Sequence, residues 1–273
     1  MSSVESLQIR REERDALLQR VIEVLTDDGR VVAAWLIGSL GRGDADDLSD
    51  IDLWVVVADE HMEAVRSTRR EYVSSLAKPL LIEEAPQNAP PGGAYLLVLY
   101  GGEAGPHQVD WYWQPQTNAR IPQDTRLLFD RAGIQPAEQP PTMTREAKVE
   151  AAMGKCAFFW AMVNITAKKI ARREGWEVLR MLDMLKYTSD EVHWLAGVRD
   201  ERPTHKTGFT APPPVQPSEQ LALLRELAGE MEALSPKLGA LGSDVSQEAI
   251  RQTYTFLEVV QEMLLTIDAR AYL

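Results

Sequence analysis

The sequence contains very little cysteine and no strongly apolar segment. Cys156 is the one cysteine among 273 residues, so no disulfide can form within the chain. No apolar run approaches the roughly 18 residues that a membrane-spanning helix needs. Residues 1–5 lack the basic and then apolar pattern of a secretory signal. A single thiol and no export signal are typical of a reducing compartment, and we therefore expect a cytoplasmic protein without a membrane partner.

Basic residues are also scarce, with 29 Lys and Arg against 41 Asp and Glu, which gives a net charge of −12. Proteins that bind long nucleic acids neutralise phosphates with Lys and Arg, so this composition argues against a nucleic-acid partner. The excess of acidic over basic side chains is concentrated in the first half of the chain. Residues 1–140 carry 13 basic and 23 acidic side chains, whereas residues 141–273 carry 16 and 18.

The hydrophobic pattern changes at a proline-containing segment near residues 134–142. Before this segment, short apolar runs predict strands at 31–37, 51–57, 79–83, 94–100, 108–113 and 126–129, with helices at 3–25 and 61–77. After it, only helical periodicity remains, at about 144–173, 176–198, 218–234 and 246–271. The sequence therefore predicts an α+β protein. A mixed sheet flanked by helices occupies a first domain at 1–140, and an all-α bundle occupies a second domain at 141–273.

The stretch GSLGRGDADDLSDID, residues 38–52, joins the first two predicted strands and is rich in acid and glycine. Asp50 and Asp52 are two residues apart at a strand start, so their side chains point the same way from Cα atoms about 7 Å apart. A divalent cation would neutralise them, and hard oxygen ligands suit Mg²⁺. Gly38 and Ser39 directly follow the first strand, where backbone N–H groups can approach phosphate oxygens.

Asp110 is the acidic residue within the otherwise apolar and aromatic run QVDWYW. An ionised carboxylate in such a strand is costly unless it is paired or bound to metal. Phosphoryl transfer with two metals commonly uses a third carboxylate, and Asp110 is the candidate. The competing interpretation is an exposed polar residue on an edge strand. Trp111 and Trp113 alternate away from Asp110 and are expected in the core, whereas Tyr112 shares its face.

These residues together resemble the DNA polymerase β-type nucleotidyltransferase superfamily. The resemblance covers residues 38–52 and, less specifically, Asp110. A helical domain after the catalytic one is similar to the layout of the aminoglycoside and lincosamide nucleotidyltransferases, which transfer AMP from ATP to an antibiotic hydroxyl. The resemblance implies that Asp50, Asp52 and Asp110 bind Mg²⁺, with general-base catalysis as the alternative role of Asp110. It further implies nucleotide contacts from Gly38, Ser39, Arg42 and Ser49. It also implies a contact from a basic residue of the helical domain, for which the candidates are Lys168, Lys169, Arg172 and Lys186.

The expected function is thus transfer of a nucleoside monophosphate, with AMP from ATP favoured, to a hydroxyl of a small molecule. An aminoglycoside-like antibiotic is the leading acceptor, which would make the protein an antibiotic-resistance enzyme. One alternative keeps the chemistry and changes the acceptor to a protein side chain, as in antitoxin-type adenylyltransferases. Another is a non-catalytic nucleotide-binding regulatory module. For the basic run around Lys168, a solvated helix face is the plainer interpretation.

Overall fold

The computed structural model describes residues 3–138, 141–204, 209, 211–240 and 246–271. The chain divides into two compact units, Met1–Pro140 and Pro141–Leu273. Across those described ranges, no helix is both long and apolar enough to cross a membrane.

The first unit combines three helices with six strands, in agreement with the predicted α+β class. Its helices are α1 (Ser3–Asp27), α2 (Gly38–Arg42) and α3 (Met62–Leu76). Its strands are β1 (Val31–Leu36), β2 (Ile51–Val57), β3 (Pro79–Glu83), β4 (Ala94–Tyr100), β5 (His107–Pro115) and β6 (Arg126–Asp130). The elements beyond those expected from the sequence are the short helix α2, which begins at Gly38, and three single-turn 3-10 helices at Asp59–His61, Pro86–Asn88 and Gln116–Asn118.

The six strands form one mixed sheet in the order β3-β4-β5-β2-β1-β6. The central pair, β2 and β5, is parallel, and every other neighbouring pair is antiparallel. Strand β5 is therefore internal, and Asp110 within it is only 7% exposed. The edge-strand interpretation of Asp110 is consequently wrong.

Alternation along the strands gives the sheet two different faces, because successive side chains point to opposite sides. One face carries Leu53, Trp111 and Trp113, all at most 1% exposed, in a core that includes apolar residues of α1 and α3. The opposite face carries Asp52 and Asp110. Trp111 and Trp113 are therefore core residues, as the alternation predicted.

The second unit is entirely helical in its described part, which also agrees with the predicted class. It contains α4 (Arg145–Ala171), α5 (Gly175–Leu195), α6 (Pro217–Ala233), α7 (Ser235–Ala240) and α8 (Gln247–Ala271). Residues such as Phe159, Leu182, Leu224 and Leu257 form its own buried core. The side chain of Thr144 caps the N-terminus of α4 by accepting a hydrogen bond from the Ala147 N–H, which fixes where that helix begins.

Candidate active site

The two strand carboxylates lie side by side at the centre of the sheet. Asp52 on β2 is paired in register with Asp110 on β5, and the two strands are parallel. Neighbouring strands are about 4.8 Å apart, so both side chains leave the same face from adjacent backbones. Asp50 precedes the first residue of β2 and is partly exposed. The fold thus brings together the three acids that the sequence singled out.

Gln108 connects two of these acids. Its side-chain amide lies 2.8 Å from Oδ2 of Asp110 and 3.3 Å from Oδ2 of Asp50, and it donates to both. The two oxygens therefore face the same donor from opposite carboxylates. The side-chain N–H of Gln108, which has a partial positive charge, thus occupies a position between the two carboxylates that a cation could take. Gln108 lies two residues before Asp110 on the same strand, so the alternation of side chains along a strand could have predicted that it shares the face of Asp110.

Tyr95 holds the other oxygen of Asp110. Its hydroxyl donates to Oδ1 at 2.6 Å, and the residue is 6% exposed. Tyr95 is paired with Tyr112, not with Asp110, so its side chain reaches the carboxylate diagonally from β4 to the neighbouring strand β5. Burial, reinforced by the hydrogen bond to Asp110, raises the pKa of Tyr95 above its ordinary value, so its hydroxyl stays protonated. No sequence signal indicates this contact, because it depends on the register of β4 against β5.

An aromatic row crosses the same sheet face beside the carboxylates. Trp35 stacks on Trp54, Trp54 stacks on Tyr112 with ring centroids 5.0 Å apart, and Tyr112 contacts Tyr95 at 4.9 Å. Because the stacked rings cover one another's faces, this row is better suited to stabilising the sheet than to stacking on a ligand. Burial, with smaller contributions from the charges of Asp110, Asp52 and Asp50, raises the pKa of Tyr112 to about 12.

Gly38 lies against Asp52 at the turn that follows β1. A Cβ atom at this position would be 2.1 Å from Oδ2 of Asp52, and the backbone has a φ of +64°. The backbone N–H of Ile37 donates to the carbonyl of Asp52 at 3.0 Å, which ties the turn to β2. Ser39 lies in the first turn of α2 and is partly exposed. The close neighbour of Gly38 in the structure is thus Asp52, and the approach of its backbone to phosphate oxygens stays a prediction.

The acidic loop between α2 and β2 is held by partners of its own. Asp46 caps the loop by accepting from the Leu48 N–H and the Ser49 hydroxyl, and Arg11 forms an ion pair with Asp47. Arg42 forms an ion pair with Asp44 at 3.1 Å. The Ser49 hydroxyl and the Arg42 guanidinium are therefore engaged within the loop, and their proposed contacts to a nucleotide require them to change partners.

Helix α1 contacts the loops that precede both carboxylate-bearing strands. Arg14, 6% exposed, donates to the carbonyl of Asp46 at 2.6 Å, in the loop before β2. Arg10 donates to the carbonyl of Pro106 at 2.9 Å, and Glu13 accepts from the Glu103 N–H at 2.8 Å, both in the loop before β5. The hydrogen bond from the Glu103 N–H, with help from His107, lowers the pKa of Glu13. Helix α1 thus holds the loops that lead into both β2 and β5.

The two lysines proposed as nucleotide contacts lie in the helical unit. Lys186 donates to both oxygens of Asp190, at 2.6 and 2.8 Å, and Arg199 is 2.9 Å from the same carboxylate. Asp190 is 1% exposed, so two cations share one buried anion. Lys168 is exposed near the end of α4. Lys186 therefore belongs to a positively charged cluster, whereas Lys168 has the surroundings of a solvated helix face.

The carboxylates suit a magnesium ion in their chemistry, since oxygen atoms from Asp50, Asp52 and Asp110 are the hard ligands that this ion prefers. Within the described ranges, no three His, Cys, Asp or Glu side chains are close enough to hold a metal ion as they stand. The Gln108 amide lies between Asp50 and Asp110 and donates to both carboxylates. A cation that replaced this amide would have two carboxylate oxygens directed at it.

Comparison with known proteins identifies the class. Residues 19–85 match the family described as "Polymerase beta, Nucleotidyltransferase". This match confirms the predicted resemblance, and residues 19–85 are similar to the nucleotidyltransferase domain of the polymerase β superfamily. The matched range contains Gly38, Ser39, Asp50 and Asp52. It ends before Asp110.

A solved structure provides a more distant comparison. It is described as a STING-associated CdnE c-di-GMP synthase from Capnocytophaga granulosa, and it is 15% identical to this chain. The similarity covers 99% of this chain and 84% of that one, with a TM-score of 0.33. The chain matches no curated protein sequence.

Proposed function

We propose that this protein transfers AMP from ATP to a hydroxyl group of a small-molecule acceptor, and that it depends on Mg²⁺. The observation that carries the proposal is the in-register pairing of Asp52 with Asp110, with Asp50 and Gly38 beside them. Three carboxylates on one sheet face destabilise the fold by their mutual repulsion, so a purely structural role does not explain their presence. Bound cations and a triphosphate would compensate for that repulsion.

Each residue has a proposed role in the transfer. Asp50, Asp52 and Asp110 would hold Mg²⁺, which when bound supplies neutralisation of charge on the triphosphate oxygens. Gly38 and Ser39 would present backbone N–H groups to those oxygens, assisted by Ser49 and Arg42 once they leave their loop partners. The acceptor oxygen attacks the α-phosphorus, the bond from that phosphorus to the bridging oxygen breaks, and pyrophosphate leaves. Asp110 would accept the acceptor's proton if it acts as general base.

The helical unit is proposed to select the acceptor and to contribute cations to the nucleotide. Lys186 donates to both oxygens of Asp190 and would have to leave this buried partner to contact a nucleotide. Lys168 remains a candidate on resemblance alone. An aminoglycoside-like antibiotic is the proposed acceptor class. Incubation with α-labelled ATP separates the alternatives, because label enters a small molecule in one case and protein in the antitoxin-type case.

Replacing Asp52 by Asn tests the proposal. The substitution keeps the shape of the side chain and removes its charge, so we expect pyrophosphate release to fall about 100-fold or more while the fold is retained. Asp47→Asn is the matched control, since it removes an equal charge from the same acidic stretch and breaks only a surface ion pair with Arg11. Wild-type turnover in the Asp52→Asn enzyme would show that the site is misassigned. ATP binding without turnover in the unmodified protein would favour the regulatory module.

A further inference from the structure

The hydroxyl of Tyr95 is buried against the carboxylate of Asp110. It donates to Oδ1 at 2.6 Å from a side chain that is 6% exposed. We propose that Tyr95 is a positioning residue that orients the Asp110 carboxylate toward a metal ion, an inference that rests on the function proposed above. Tyr95 itself would touch neither metal nor substrate.

The orientation of Asp110 depends on which of its oxygens is occupied. With Oδ1 held by Tyr95, Oδ2 is directed to the Gln108 amide, which also donates to Oδ2 of Asp50. The two Oδ2 atoms therefore converge on one point, and their separation is no greater than the sum of those two hydrogen-bond lengths. A carboxylate free to rotate would lose this convergence. The hydrogen bond from Tyr95 prevents the rotation and keeps one oxygen available as a ligand.

Tyr95 is better placed for this task than Gln108. The Tyr95 ring is buried in β4 and contacts Tyr112, with ring centroids 4.9 Å apart, whereas Gln108 is partly exposed. A buried ring loses little additional entropy when its hydroxyl is fixed. Gln108 instead occupies the position between the two carboxylates and must move before a cation can bind there. Groups that hydrogen-bond to metal ligands in this way typically change metal affinity or activity by about 10- to 100-fold when they are removed.

Tyr95→Phe and Tyr112→Phe form a matched pair for the test. Both remove one hydroxyl from the same aromatic row, and within the described ranges only that of Tyr95 donates to a carboxylate of the site. Mn²⁺ affinity of the full chain without nucleotide is measured from the electron paramagnetic resonance signal of the free ion. We expect Tyr95→Phe to weaken Mn²⁺ binding about tenfold or more and to lower kcat with little change in the KM for ATP. Tyr112→Phe should match the wild type.

Gln108→Ala supplies an independent arm. Removing the amide leaves Asp50 and Asp110 without the donor that bridges them, so Mn²⁺ should bind several-fold more tightly. Wild-type Mn²⁺ affinity in Tyr95→Phe, or weaker binding in Gln108→Ala, would overturn the inference. The Asp52→Asn variant distinguishes a failure of the inference about Tyr95 from a failure of the function proposed above. If Asp52→Asn abolishes transfer while Tyr95→Phe behaves as wild type, only the role of Tyr95 fails. If Asp52→Asn retains transfer, the assignment of the metal site fails, and if the wild type transfers no nucleotide, the proposed function fails.

Discussion

At the scale of single residues, Gly38 is required for two separable reasons. Its φ of +64° favours glycine, and a Cβ would lie 2.1 Å from Oδ2 of Asp52. Gly43, five residues later, has a φ of +81° but has no atom within 4 Å of its would-be Cβ. The two glycines therefore share the backbone requirement and differ in the steric one. Substituting each by alanine separates the effects.

We predict that both Gly38→Ala and Gly43→Ala lower the free energy of unfolding by about 1–2 kcal/mol, because each places a side chain in the left-handed region. Only Gly38→Ala should also abolish transfer, since the new methyl group displaces the Asp52 carboxylate. Urea titration measures the first effect and pyrophosphate release measures the second. Equal activity in the two variants would show that the contact between Gly38 and Asp52 has no catalytic importance.

Local chemistry in the sequence was sufficient to select Asp50, Asp52 and Asp110, because strand alternation and the cost of burying a charge are properties of short segments. It was not sufficient to find Tyr95, whose contact with Asp110 exists only because β4 pairs with β5 in one register. The partners of Ser49 and Arg42 were missed for another reason. Loop side chains choose among several nearby acceptors, and spacing along the chain does not decide between Asp44, Asp46 and a ligand.

At the scale of elements, the turn between α1 and β1 contains a strong local ion pair. Asp28 accepts from the backbone N–H of Arg30 at 3.0 Å and from its guanidinium at 2.7 and 2.9 Å. The hydrogen bond from the Arg30 side chain is the main reason that the pKa of Asp28 is lowered. Because a lowered carboxyl pKa favours the folded state only when the group is ionised, this contribution is present above the unfolded pKa of about 3.9.

We predict that Asp28→Asn lowers the free energy of unfolding by about 1 kcal/mol near neutral pH. The difference from wild type should shrink as the pH falls through the lowered pKa of Asp28, because both proteins then lack the charge. Urea unfolding at neutral and strongly acidic pH measures this. Asp27→Asn, an equal charge change at an exposed neighbouring position, should have little effect at either pH. A pH-independent difference would point to shape, not charge, as the contribution of Asp28.

The order of elements was predictable because periodicity in hydrophobic residues is written along the chain. The arrangement of the sheet was not, since the parallel pairing of β2 with β5 joins segments separated by two other strands. Helices α2 and α7 were also not predicted as elements, because five and six residues are too few for periodicity to emerge.

At the scale of the whole molecule, each compact unit contains a buried apolar core of its own. Units of 100–150 residues with separate cores are commonly able to fold independently. We predict that residues 141–273, produced alone, show a helical circular dichroism spectrum and a cooperative thermal transition. A fragment that melts without cooperativity and binds hydrophobic dyes would show that this core depends on the remainder of the chain.

The contacts of helix α1 have a practical consequence for dissecting the enzyme. The family match begins at residue 19, whereas Arg10, Glu13 and Arg14 contact the loops that lead into β5 and β2. An expression fragment trimmed to the matched range would retain Asp50 and Asp52 but lose the groups that align their strand with its neighbour. A minimal catalytic fragment should therefore start before Arg10, and any N-terminal fusion should leave that face of the helix uncovered.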